Sequence, residues 1–231
     1  MEAMYMWGFD PLFFVLVLPA LGFTLWAQFK VKSTFEKFSK TRTEKGITGA
    51  QAAAEILRAE GIHDVRIERV SGHLSDHFDP RGNVIRLSDS VHDAATVAAV
   101  GVAAHEAGHA IQYAQGYAPI KIRAAIIPVT SFGSKLAMPL IFIGMIMGAF
   151  GLINIGIILF GTVVVFQFVT LPVEFNASSR ALAALSGNAM LSPAEITGSR
   201  KVLTAAALTY VAALAMSLAQ LIRFIAMARR R

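Results

Sequence analysis

The sequence predicts a mainly α-helical membrane protein: about four transmembrane helices joined to a small α+β polar part in which a β-hairpin precedes one long helix. Three observations predict it. Hydrophobic residues make up 55% of the 231, more than the roughly 45 to 50% of an ordinary soluble domain. That excess is concentrated, because residues 11–29, 136–173 and 202–222, runs of 19, 38 and 21 residues, contain no Asp, Glu, Lys or Arg. The rest of the chain holds all 21 basic and 15 acidic residues, so its charge content of about 24% is that of a normal soluble protein. Apolar segments long enough to cross lipid are thus joined to a polar part of ordinary composition.

Composition also excludes several classes. With no Cys, a disulfide-stapled domain is impossible, and any zinc site must be built from His and carboxylates. The apolar content excludes intrinsic disorder. Glu2 and Asp10 stand where a signal peptide would be basic, and Ala27-Gln28-Phe29 is a poor cleavage site, so the first run reads as a retained span. The net charge of +6 comes largely from Lys and Arg beside the hydrophobic runs. The expected partner of those charges is the lipid bilayer and not nucleic acid.

A span takes about 20 apolar residues, so the first and last runs are one span each and the 38-residue run must fold into two. Residues 151–154, with Gly148 and Gly156 on either side, are the candidate turn. Four spans result, near 11–29, 130–151, 154–173 and 202–222. Lys30, Lys32, Lys37, Lys40, Arg42 and Lys45 follow the first span, and Lys121, Arg123, Arg180, Arg200 and Lys201 flank the others on the same side. That side is expected to be cytoplasmic. Residues 1–29 are then the first transmembrane helix, 30–123 a cytoplasmic domain, 124–173 a transmembrane hairpin, 174–201 a second cytoplasmic segment, and 202–231 the fourth helix with a basic tail. Arg229, Arg230 and Arg231 disagree, since an even span count leaves them outside unless the last segment is re-entrant.

Within the polar part, Thr48-Gly-Ala-Gln51 has the form of a capping box, and the Ala-rich stretch after it stops at Gly61. Residues 65–70 read as a strand, and residues 72–78 and 83–88 as a hairpin around Asp79-Pro80-Arg81-Gly82. Ser90-Val-His-Asp93 looks like a second capping box, opening one Ala-rich helix over about 91–115.

That helix carries His105-Glu106-Ala107-Gly108-His109, an HExxH motif. Four residues turn an α-helix through about 400°, so the two imidazoles lie on one face, one turn apart, where both can reach one ion. Glu106 lies beside them, placed to take a proton from an activated water. From the chain's own His and Glu frequencies, chance supplies only about 0.006 such motifs. A catalytic zinc needs a third protein ligand. Residues 107–173 contain no carboxylate, which makes Glu174, the first charge after the third span, the leading candidate and Glu195 a weaker one.

These segments resemble a known family. HEAGH preceded by Val-Ala-Ala and followed by Ala-Ile-Gln, the hairpin sequences Asp-His-Phe-Asp-Pro-Arg and Val-Ile-Arg-Leu-Ser, and Leu-Pro-Val-Glu-Phe-Asn-Ala-Ser-Ser-Arg are similar to the YugP-type neutral zinc metallopeptidases, integral membrane proteins of bacteria. The resemblance implies a zincin-like peptidase domain with Zn²⁺ on His105, His109 and Glu174 and with Glu106 as catalytic base. It also implies a multi-pass protein of the bacterial plasma membrane acting on peptides or membrane proteins. This chain has Asn176 where the family has Asp two residues after the glutamate, and Ser178 where the more distant HtpX and CAAX-endopeptidase families have Asp four residues after theirs.

An acyl-transfer intermediate needs an oxyanion donor. By residue type the candidates are His73, His77, Tyr113 and Arg180, with His77 and Arg180 ranked first because they lie in the family-like segments. The reading is therefore a membrane-embedded zinc-dependent endopeptidase. Its alternative is a non-proteolytic scaffold that keeps a structural metal site.

Overall fold

The computed structural model describes residues 10–72 and 75–229; Glu2, His73, Arg230 and Arg231 lie outside the described residues. Among the described residues the chain is helical apart from one small sheet. A π-helical turn, Phe13–Val17, leads into α1, Leu18–Phe38. Then come α2, Gly49–Ala59, the strands β1, Arg66–Val70, β2, His77–Asp79, and β3, Val84–Ser88, and the short α3, Asp89–His92. The motif helix α4 is Val97–Ala114, and three long helices follow: α5, Ala118–Met147, α6, Phe150–Gly187, and α7, Pro193–Arg229. The chain divides into two compact units, one made of residues 1–28, 122–171 and 209–231, the other of residues 29–121 and 172–208.

The first unit is helical and apolar. Four helical stretches, Phe13–Phe38, Ala118–Met147, Phe150–Gly187 and Pro193–Arg229, are long and hydrophobic enough to cross a membrane. Large apolar side chains such as Phe14, Phe142, Ile158 and Phe168 stand exposed on them, as lipid-facing surfaces require. The turn between the second and third spans is earlier than the sequence suggests. It falls at Gly148, whose φ of +65° closes α5, while residues 151–154 are already helical. A left-handed glycine just past a helix end satisfies the last carbonyls, which a glycine inside the next helix cannot do. At Gly156 the two helices come so close that an added Cβ would lie 2.8 Å from the Ala137 carbonyl oxygen. Asp10 caps the start of the first span through the amides of Leu12 and Phe13 and forms a buried ion pair with Arg223, whose Nε lies 2.7 Å from Asp10 Oδ2. The beginning of the first span and the end of the last are therefore side by side.

The second unit contains the sheet, in the order β1-β3-β2, with β1 parallel and β2 antiparallel to β3. The expected hairpin is present. Asp79 Oδ1 accepts from Arg81 N–H at 3.0 Å inside the turn, and Asp76 takes both the main-chain N–H and the hydroxyl of Ser88, tying the approach to β2 onto the end of β3. The Thr48 capping box also forms, with Gln51 N–H on Thr48 Oγ1 and Thr48 N–H on Gln51 Oε1.

The long helix does not run unbroken from Ser90. It is split into α3 and α4, and the N-cap of α4 is Thr96, whose hydroxyl accepts from Ala99 N–H at 3.3 Å. The reason lies far away in the chain. Thr43 N–H and Gly49 N–H bond to the carbonyls of Ala95 and Ala94, and Val97 N–H bonds to the Thr41 carbonyl, which holds this stretch extended. Fourteen residues of α4 are buried, and most are Ala, Gly or Val. Ile85 and Leu87 of β3, Ile56 and Leu57 of α2, Leu185 of α6 and Leu203 of α7 pack in the same core. Full burial of each such side chain contributes about 1.5 to 3 kcal/mol. Small residues on α4 let its neighbours close in: a Cβ at Gly108 would lie 2.5 Å from the Ala177 carbonyl of α6, and one at Gly101 would lie 3.3 Å from Ser199 of α7.

Candidate metal centre

The close approach at Gly108 brings Glu174, on α6, to the imidazole face of α4. Glu174 lies within the continuous helix α6 and not at the start of a loop. Its Oε2 is 3.2 Å from His105 Nε2 and 3.6 Å from His109 Nε2, and the two rings are 4.7 Å apart and nearly perpendicular. The donor atoms of His105, His109 and Glu174 all lie within 4.8 Å of one another, and this is the His/Asp/Glu group among the described residues that could hold a metal ion. The donors suit zinc. Nitrogen and oxygen ligands about 2.1 Å from a tetrahedral ion are about 3.4 Å apart, close to the separations observed here. All three side chains are largely shielded from solvent.

Both imidazoles are held from behind. Ser178 Oγ is 3.1 Å from His105 Nδ1, and Gln112 Oε1 is 3.1 Å from His109 Nδ1. An acceptor at Nδ1 fixes the tautomer that keeps the Nε2 lone pair free for a metal. Gln112, fully buried, donates from Nε2 to the Val173 carbonyl at 2.8 Å and to Asn176 Oδ1 at 2.9 Å. Asn176 Oδ1 also accepts from Arg180 Nε at 2.7 Å, and Arg180 Nη1 donates to Gln115 Oε1 at 2.6 Å. The neutral Asn176 amide oxygen thus collects two donors. A hydrogen-bonded chain from His109 through Gln112, Asn176 and Arg180 couples α4 to α6.

Burial opposes the charged form of His109, yet hydrogen bonding to Glu174, the negative charges of Glu106 and Glu174 and the Gln112 contact outweigh it and raise its pKa. Glu106 is buried and accepts from Phe78 N–H of β2 at 2.9 Å. His77 is exposed, with Nδ1 on the Ser75 carbonyl at 2.8 Å. Arg180 is engaged by Asn176 and Gln115 and lies over the Tyr117 ring. Tyr113 meets the Phe78 ring edge-on at 6.0 Å. Glu195 stands apart from the imidazoles in a different role: its two oxygens take the Glu44 and Ser192 amides, each at 2.7 Å, which anchors the start of α7. Gln112 and the Phe78 amide were not singled out by the sequence; Ser178 was, four residues after Glu174, but with no role assigned. Gln112 carried a local signal, three residues after His109 and so on the same helix face.

The fold and the three-donor cluster define a mainly helical protein with four helices long and apolar enough to cross a membrane and a His/His/Glu group that could hold zinc. The family described as "putative neutral zinc metallopeptidase" matches residues 13–229, and the chain belongs to it. The chain is 49% identical over 215 residues to the "putative membrane protease YugP" of Bacillus subtilis strain 168, an alignment covering 93% of this chain and 95% of that protein. No solved structure matches the chain.

Proposed function

We propose that the protein is a zinc-dependent endopeptidase of the bacterial plasma membrane, cleaving peptides or membrane proteins at the cytoplasmic surface. The observation that carries this reading is the meeting of Glu174 Oε2 with both imidazoles beside a buried glutamate. His105, His109 and Glu174 are the metal ligands. A zinc ion held there supplies Lewis-acid activation of a water and of the scissile carbonyl. Ser178 and Gln112 orient the ligand imidazoles. Glu106 accepts the proton released by the attacking water and delivers it to the departing amine. His77 or Arg180 donates to the oxyanion. The edge of β2, beside α4, receives an extended peptide as an added strand.

The cytoplasmic orientation rests on the Lys and Arg that flank the spans. The Asp10–Arg223 pair supports four through-going spans, because a re-entrant last segment would separate those residues by the bilayer. A structural scaffold would need the ligands but not the base. Glu106→Gln in the full-length protein tests the difference: zinc content is retained while peptide cleavage falls by at least about 100-fold. Cleavage at the wild-type rate would refute the proposed role of Glu106.

A further inference from the structure

Among the described residues, the hydrogen-bond partner of the Glu106 carboxylate is a main-chain group, the N–H of Phe78, which donates to Oε2. Phe78 is the middle residue of β2, opposite Ile85 of β3. In an antiparallel ladder the N–H groups of successive residues point alternately to the partner strand and away from it. The Phe78 amide is the one that points away, at the free edge of the sheet. Such an amide is the usual receptor for an incoming strand. Here a carboxylate occupies it.

We infer that the main-chain amide of Phe78 is a positioning group for Glu106, an inference that rests on the hydrolase reading above. A glutamate side chain has three rotatable torsions, and a charge-assisted hydrogen bond at Oε2 fixes the plane of the carboxylate. An amide donor does this without giving up its proton, so the carboxylate remains a base, and Oε1 is left to take the proton from water. The rigidity of the sheet is passed to the base through this contact. Asp76, clamped to Ser88, and the Asp79 turn hold β2 on either side of Phe78. The edge amide therefore serves proton transfer, which leaves the Phe78 carbonyl, pointing the same way, for peptide docking on β2.

The test uses zinc-loaded, full-length protein in detergent and the internally quenched peptide that the wild type cleaves fastest from a mixed-sequence set. Phe78→Pro removes the N–H at an edge position where no ladder bond is lost. Phe78→Ala removes the ring that meets Tyr113 but keeps the N–H. Phe78→Pro is expected to lower kcat about 10- to 100-fold, with KM within about twofold and zinc content unchanged, since a misplaced catalytic group costs about that much. Phe78→Ala, in which the amide is intact, is expected to keep a kcat at least about threefold above that of Phe78→Pro. If proline disturbs the strand, phenyllactate introduced at position 78 replaces only the N–H by an ester oxygen and carries the same expectation as proline. A raised KM with unaltered kcat would assign the amide to substrate and overturn the inference, and so would wild-type kinetics. Zinc-loaded wild type that cleaves no peptide of the set would instead overturn the hydrolase reading itself.

Discussion

His109 Nδ1 lies 3.1 Å from Gln112 Oε1, and the same Gln112 amide reaches α6 through Val173 and Asn176. One side chain thus holds a candidate ligand and ties it to the helix that carries Glu174. Gln112→Ala should weaken zinc binding about 10- to 100-fold, the usual cost of losing a partner that orients a metal ligand. Competition with a chelator measures it, and unaltered affinity would remove Gln112 from the account.

At Gly108 the obstacle to a side chain is backbone, the Ala177 carbonyl oxygen at 2.5 Å from an added Cβ. Gly108→Ala must push α4 and α6 apart and is expected to destabilise the fold by about 1 to 3 kcal/mol, as overpacking does. Since α6 carries Glu174, zinc affinity should fall with it. Thermal unfolding with and without zinc reports both effects; a variant as stable as wild type would show that the helices do not approach as described.

The proton on His109 has a predictable signature. Its pKa is raised in the folded protein, so in the metal-free protein the resulting stabilisation is fully present below the histidine pKa of the unfolded chain. It is lost as pH rises through the higher folded value. Zinc must displace that proton, so zinc affinity should climb over the same interval. Unfolding of metal-free protein and zinc titrations across this window measure the two opposed trends. Metal-free stability that increases with pH there would contradict the assignment.

Topology can be tested without background labelling, because the chain has no cysteine. Lys40→Cys should react with an impermeant thiol reagent only from the cytoplasmic side, and Ala228→Cys only from the opposite side. Labelling of both from one side would contradict four through-going spans.

Much of this arrangement was legible in the sequence because it is local. Capping of the second helix by Thr48, the hairpin around Asp79 and the shared face of His105 and His109 each follow from residues within a few positions of one another. Glu174 could be picked out because 67 carboxylate-free residues, 107–173, separate it from the motif. The break between α3 and α4 was not legible, since the bonds that impose it come from residues 41–49. The turn at Gly148 was missed because several glycines compete there and only tertiary packing selects among them. The Phe78 amide carries no side-chain signature, so only coordinates reveal its contact with Glu106.

Zinc content of the purified full-length protein, measured for the wild type, Glu174→Ala and Glu195→Ala, tests the central claim most directly. Wild type and Glu195→Ala should each carry about one zinc per chain, while Glu174→Ala should lose nearly all of it on dialysis, as a catalytic site requires three protein ligands. Stoichiometric zinc in Glu174→Ala, or its loss only in Glu195→Ala, would contradict the account.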